Sequence, residues 1–97
     1  MIARILQFNV IPGKLEEAIQ TMNQKIVPEL QSVDGMTHCI ITRAPDSDAC
    51  VTTAIYENEE KAEAAQAATQ QIWSAIGPYL AGPPSLEVKD VLLAETL

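Results

Sequence analysis

Residues 11–35 read IPGKLEEAIQTMNQKIVPELQSVDG and decide the fold of the chain. Pro12-Gly13 favours a turn before this segment, and Asp34-Gly35 is a helix-stop signal after it. The spacing of the apolar residues predicts one amphipathic helix, which Pro28 should kink or end in its last third. The apolar residues recur every three or four positions, at Leu15, Ala18, Ile19, Met22, Ile26, Val27, Leu30 and Val33.

Strand patterns lie on both sides of this helix. The segment from Ile2 to Val10 carries apolar residues on both faces, which predicts a strand covered on both sides. Residues 36–44 and 49–56 are rich in β-branched side chains, and the four residues between them begin with Pro45, so they predict a hairpin. A last strand is predicted over residues 86–94.

The hairpin loop also predicts a register. If Ala44 faces Ala49, then Arg43 faces Cys50, Ile41 faces Thr52 and Cys39 faces Ala54. In this register the two cysteines are too far apart to form a disulfide. Because free cysteine prefers protein interiors, both thiols are expected to be buried and reduced.

A second helix is predicted between the third strand and the last. Asn58 is a favourable N-cap, and Glu59 and Glu60 would lie at the positive end of the helix dipole. The helix is rich in alanine, so it can approach a sheet closely. Gly77-Pro78 is expected to break this helix and to leave a short extra helical turn around residues 74–80.

The element order β-α-β-β-α-β predicts an α+β fold of the ferredoxin-like type, a four-stranded antiparallel sheet with both helices on one face. All 97 residues are expected to form this one domain. The other sheet face would carry Ile5, Val91 and Leu93, and a bare apolar face is a liability or an interface. A second copy laid against it would bury it, so a homodimer is predicted.

Composition excludes several classes of partner. Thirteen acidic residues against six scattered basic ones give a net charge of −7, which argues against nucleic acid or an anionic membrane. No apolar run approaches the roughly 18–20 residues of a membrane span, and no signal-peptide pattern opens the chain. The expected location is therefore cytoplasmic. One histidine and no Cys-x-x-Cys pair argue against a zinc site.

Three stretches together resemble a known family. They are FNVIPGK at residues 8–14, KIVPEL at 25–30 followed by DGM at 34–36, and YENEEKA at 56–62. This sequence is similar to the antibiotic-biosynthesis-monooxygenase domain of the dimeric α/β-barrel superfamily over essentially its whole length. These motifs mark architecture more than chemistry, and the family spans several activities.

The resemblance implies a ligand cavity inside each subunit, between the sheet and its helices, with the other sheet face joined to the partner subunit. The residues expected to line it and bind substrate are Leu6, Phe8, Tyr56, Trp73 and Ile76. Each of them could instead be ordinary hydrophobic core. A cavity filled by these side chains would favour a non-catalytic protein.

Departures from the family pattern restrict the chemistry. Haem-degrading relatives use an Asn on the first strand and a haem-ligating His in the second helical segment, whereas this chain has Leu6 and no histidine after Trp73. Haem is therefore not expected, and neither is any other cofactor. His38 is the only side chain that titrates near neutrality without help, so it is the candidate catalytic base, with Tyr56 or Thr42 orienting the substrate. A structural role for this histidine is the alternative.

Three functions remain. One is a cofactor-independent monooxygenase that acts on a quinol or polyphenolic small molecule. The other is a non-catalytic homodimer that binds a small apolar ligand or serves as an interaction module; an isomerase or lyase is a third possibility. Arg4 shares a strand face with Leu6, where it could meet an anionic ligand, although a nearby carboxylate is the favoured partner.

Overall fold

The computed structural model describes all 97 residues. Four strands form the sheet: β1 (Ile2–Asn9), β2 (Met36–Arg43), β3 (Ala49–Tyr56) and β4 (Ser85–Asp90). Their order is β2-β3-β1-β4, and every neighbouring pair is antiparallel. The predicted ferredoxin-like fold is confirmed.

The first helical segment is one rod made of three parts, α1 (Leu15–Thr21), a π-helical turn (Met22–Ile26) and α2 (Val27–Leu30). The wide turn comes just before Pro28, whose ring would clash with the carbonyl four residues earlier in a regular α-helix. The predicted break in the helix is therefore present, as a π turn. The buried side of the rod follows a four-residue spacing, at Ala18, Met22, Ile26 and Leu30.

The second helical segment is α3 (Glu59–Trp73), which continues into a 3₁₀ turn (Ser74–Tyr79). The backbone N–H of Lys61 donates to Asn58 Oδ1 at 2.8 Å, so the predicted N-cap is confirmed. The extra turn predicted from Gly77-Pro78 is also present. None of these helices is long and apolar enough to cross a bilayer.

The hairpin register agrees with the sequence. Cys39 faces Ala54 and Ile41 faces Thr52, as the loop length predicted. Thr37 is an extra residue in β2, because Met36 pairs with Tyr56 while the next paired residue of β2 is already His38. This irregularity puts Met36 on the helix side of the sheet and His38 on the open side.

Two predictions are wrong: the burial of Cys39 and the length of the last strand. Both cysteines are free, but only Cys50 is buried, because Cys39 lies on the edge strand β2, which has a neighbouring strand on one side only. The last strand ends at Asp90 and not at residue 94. The N–H of Val91 bonds to the carbonyl of Met1, and β1 offers no further residue to pair with, so Leu93 is 79% exposed outside the sheet.

Candidate functional site

A cavity of about 380 Å³ lies between the helix side of the sheet and the second helical segment. Its floor comes from alternate residues of the two central strands, Arg4, Leu6 and Phe8 on β1 and Thr52, Ala54 and Tyr56 on β3. The pairs Arg4–Ala54 and Leu6–Thr52 are directly opposite each other in the register. Because alternate strand residues share a face, all six side chains point toward α3.

The roof and one end of the cavity come from α3, the 3₁₀ turn and the start of β4. The aromatic rings of Phe8 and Trp73 are tilted by 50° with centroids 6.4 Å apart, so the two rings meet where floor and roof join. Nine of the seventeen lining residues are hydrophobic. Besides the floor, the lining residues are Met36, Gln66, Thr69, Gln70, Trp73, Ser74, Ile76, Gly77, Leu80, Pro84 and Leu86.

The five residues predicted to bind substrate all lie on this cavity: Leu6, Phe8, Tyr56, Trp73 and Ile76. Phe8, Tyr56 and Ile76 are almost fully buried, whereas Leu6 and Trp73 are partly exposed. These side chains surround open space and do not fill it. Their role in binding stays a prediction.

The structure does not bring His38 to the cavity. It pairs with Ile55 on the open face of the sheet, where its Nδ1 lies 3.0 Å from Thr37 Oγ1 and the ring is exposed to solvent. Thr42 pairs with Val51 and lies on the same open face. Neither side chain can therefore contact a molecule held in the cavity of its own chain.

Polar groups of the cavity cluster around Arg4. The guanidinium Nη2 donates to Gln66 Oε1 at 3.4 Å, a long hydrogen bond, while Arg4 Nε is buried without a partner. The favoured expectation of a carboxylate partner is wrong, because no carboxylate oxygen lies within 4.0 Å of Arg4. The hydroxyl of Thr52, 2% exposed, also has no partner.

Tyr56 is a neutral group at the end of the cavity floor. Burial raises the pKa of its hydroxyl above the ordinary value, while Thr69 and the positive charge of Arg4 act in the opposite direction. A tyrosine with a raised pKa keeps its proton at neutral pH. Tyr56 is thus a hydrogen-bonding group there and not a base.

Sequence reasoning identified Arg4 as a residue of this strand face but did not identify Thr52, Gln66, Thr69 or Gln70. Thr52 could have been identified from its position opposite Leu6, but only if the pairing of β1 with β3 had been known. The three residues of α3 depend on how the helix is rotated over the sheet. No group of three or more His, Cys, Asp or Glu side chains is arranged to hold a metal ion.

The fold and the cavity together define a ferredoxin-like domain with an internal pocket. Neither a family model nor a curated protein matches the chain. Solved structures do match: a putative antibiotic biosynthesis monooxygenase from Nitrosomonas europaea has a TM-score of 0.78 at 18% identity, covering 96% of this chain and 100% of its own. One from Caulobacter crescentus gives 0.78 and 18%, with coverages of 95% and 90%.

A variant of SnoaB, a cofactor-independent oxygenase from Streptomyces nogalater, is similar at a TM-score of 0.76 and 12% identity, with 96% of this chain and 94% of that chain covered. The fold of this chain is therefore that of the antibiotic-biosynthesis-monooxygenase domain, as the sequence motifs indicated. At sequence identities of 12% and 18%, the similarity to these solved structures is a similarity of fold.

Proposed function

We propose that this protein is a homodimeric monooxygenase that oxidises a quinol or polyphenolic small molecule in the cavity, without a metal or an organic cofactor. The observation that carries the proposal is the cavity itself, about 380 Å³ of open space in a domain of only 97 residues. Ligand pockets typically combine an apolar lining with a few polar groups. The cavity has this composition, and SnoaB, of the same fold, is named as a cofactor-independent oxygenase.

The reaction requires little from the protein. A hydroxylated aromatic loses its hydroxyl proton, and the electron-rich anion then reacts with oxygen. When a ring C–H becomes a quinone carbonyl, one oxygen atom enters the substrate. The other oxygen atom leaves as water, which takes up the hydrogens of the ring C–H and the hydroxyl group. The substrate supplies all four electrons that reduce the oxygen molecule. The apolar walls would hold the ring near Trp73, while the polar groups around Arg4 would bind its oxygen.

This reaction needs an acceptor for the hydroxyl proton of the substrate. No histidine, lysine or carboxylate lines the cavity. With His38 on the other sheet face and Tyr56 neutral, we propose that the proton passes to water at the open end of the cavity. A substrate with an acidic hydroxyl is favoured for the same reason.

The homodimer is proposed from the open face of the sheet. Ile5, Val51 and Ile55 lie there, half-buried, and Ile40 is 54% exposed. A second copy on this face would remove these apolar side chains from water. Sedimentation analysis should show a dimer that Ile40→Glu disrupts. Ile19→Glu, a matched change of an exposed isoleucine on α1, should leave the dimer intact.

A non-catalytic protein that binds a small ligand is the second candidate. The same lack of a general base in the cavity favours it, since such a protein needs the pocket but no proton transfer. Both candidates predict ligand binding. Only the monooxygenase consumes oxygen.

The test measures oxygen uptake and tryptophan fluorescence with a panel of naphthols and hydroquinones. Trp73 is the only tryptophan, so quenching reports on the cavity. We expect saturable quenching with oxygen consumption in the wild type. Ala54→Leu, which fills the cavity floor, should lose both signals, and Ala67→Leu on the exposed side of α3 should keep both. Quenching without oxygen uptake would support the binding protein, and the absence of both would contradict both candidates.

A further inference from the structure

We infer that the ligand of the cavity carries an apolar chain, which lies outside the cavity along Leu86 and Val88 of β4. We call the surface formed by these two side chains the β4 shelf. The inference rests on the proposed function for the aromatic part of the ligand. The shelf itself is identified from the direction, the exposure and the surroundings of its two side chains.

The two side chains of the β4 shelf lie on the same face of the sheet as the cavity floor. Leu86 pairs with Leu6, and Val88 pairs with Arg4. Residues that are directly opposite each other in neighbouring strands project to the same side of a sheet. Both shelf residues therefore point to the side that carries the helices. Because Leu86 also lines the cavity, the shelf continues the cavity floor by one strand.

No helix covers the β4 shelf. The helix α3 packs against β1 and β3, and all six residues of β4 are exposed. The exposed fraction is 49% for Leu86 and 56% for Val88. The cavity is therefore open on the side of β4, and a ligand with a substituent too long for the cavity would extend over this strand.

The charged side chains of β4 lie away from the shelf. Glu87 and Lys89 occupy the alternate positions, so they point to the open face of the sheet, where Lys89 Nζ lies 3.4 Å from Glu87 Oε2. Charged side chains commonly protect an edge strand from pairing with other chains. On the cavity side this strand presents two aliphatic side chains, and Asp90 is the next residue on that face. Such a surface favours an apolar chain over a polar substituent.

Other parts of the protein leave the shelf free. The homodimer proposed above uses the open face of the sheet, which is the opposite side of β4. The backbone bends at Leu92, and the side chains of Leu92 and Leu93 are 95% and 79% exposed, so neither packs on the shelf. A chain that starts in the cavity meets Leu86 first, because this residue belongs to both surfaces. This continuity favours the ligand as the occupant of the shelf.

The length of the shelf sets the size of the expected effect. Residues two apart in a strand are about 7 Å apart, which is the length of a chain of roughly five carbon atoms. Burying one methylene group fully raises the affinity by a factor of about four. A chain on the shelf is covered on one side only, so we expect about a twofold gain for each methylene group. The gain should end where the chain reaches the charged Asp90.

The experiment measures the affinities of a series of 4-alkoxy-1-naphthols, from methoxy to octyloxy, by titration calorimetry. We expect a gain of about tenfold from the methoxy to the pentyloxy compound and little further gain up to octyloxy. Val88→Ser should reduce this gain to about threefold. Val27→Ser, the same change of a valine that is 38% exposed on α2, should keep the full gain.

Four results would overturn the inference. The first two are a wild type without any gain and a gain that Val88→Ser leaves unchanged. The third is an affinity that rises with every added carbon atom up to octyloxy, because it would indicate non-specific partition. The fourth is a gain that appears only when Leu92 and Leu93 are both replaced by serine, which would show that the C-terminal segment occupies the shelf. Sedimentation distinguishes a contact between two copies: dissociation of the dimer in Val88→Ser would also overturn the inference.

The proposed oxygenase is tested separately, by the oxygen uptake with naphthols and hydroquinones described above. Binding of the methoxy compound without any effect of chain length would leave the cavity as a ligand site and remove the shelf. An effect of chain length without oxygen uptake would support the shelf and remove the oxygenase. Absence of binding by every compound of the series would contradict both.

Discussion

Gly35 joins the first helical segment to β2, and replacing it with alanine gives the sharpest test of the packing. Its φ is +84°, and an added Cβ would lie 2.5 Å from the Cβ of Lys61 at the start of α3. This atom is fixed to the helix backbone and cannot swing away. In addition, the carbonyl of Gly35 accepts the backbone N–H of Glu57 at 2.9 Å, so the segment cannot move without cost.

The magnitude follows by comparison with two other glycines. Gly13 has φ +85° with nothing within 4 Å of an added Cβ, and Gly82 has open space and no positive φ. An L-residue in the left-handed region costs about 1–2 kcal/mol, while replacing glycine recovers about 0.4–1 kcal/mol through the unfolded chain. Gly13→Ala should therefore cost about 1 kcal/mol, and Gly82→Ala should be neutral or slightly stabilising.

Gly35→Ala carries the same backbone cost together with the overlap on α3. Forcing extra atoms into a packed contact costs about 1–3 kcal/mol, so the total should be about 2–4 kcal/mol. Urea denaturation of the three variants and the wild type gives each free energy of unfolding. Equal losses for Gly35→Ala and Gly13→Ala would refute the reasoning, since only the contact with Lys61 distinguishes them.

Three further predictions concern the cap, the buried phenol and the thiols. Asn58→Ala should lower the free energy of unfolding by about 1 kcal/mol, and Asn58→Asp, which keeps the cap, should not; denaturant titration measures both. Burial raises the pKa of Tyr56 in the folded protein, so the unfolded chain loses this proton first as the pH rises. The free energy of unfolding should therefore fall above about pH 10. Tyr56→Phe should make this fall smaller in melting curves recorded across that pH range. An aromatic disulfide reagent should modify the exposed Cys39 before the buried Cys50, and Cys39→Ser should abolish the faster phase; two equally fast thiols would contradict the burial of Cys50.

Much of the fold could be predicted because it follows from local patterns. The Pro12-Gly13 and Asp34-Gly35 turns bound the first helical segment, and the loop beginning at Pro45 fixed the hairpin register. The end of β4 could not be predicted from its own residues. Residues 91–94 continue an apolar pattern, yet β1 offers no partner beyond its first residues, so the strand ends where its neighbour does.

The predicted hairpin register alone was enough to place His38 on the face of the sheet away from the cavity. Alternate residues of a strand point to opposite faces, so a register that pairs Cys39 with Ala54 places His38 opposite Ile55, on the face away from Tyr56. The predicted register therefore already separated the candidate base from the candidate pocket. The same parity places Thr42 on the open face.

The polar cluster around Arg4 could be predicted only in part. Its strand face was evident from Leu6 and Phe8, but its lack of a carboxylate partner depends on which residues β4 and α3 bring near it. Those positions are set by the rotation of α3 and by the pairing of β1 with β4. Neither has a local sequence signal.

Methyl NMR with a bound naphthol tests the central claim, that the cavity beneath α3 is the ligand site, most directly. Methyl groups on the two sheet faces distinguish the possible sites: Leu6 and Ile76 line the cavity, while Ile40 and Ile55 lie on the open face. The account predicts saturable shifts at Leu6 and Ile76, with Ile40 and Ile55 unchanged. Shifts confined to the open face, or none at all, would contradict it.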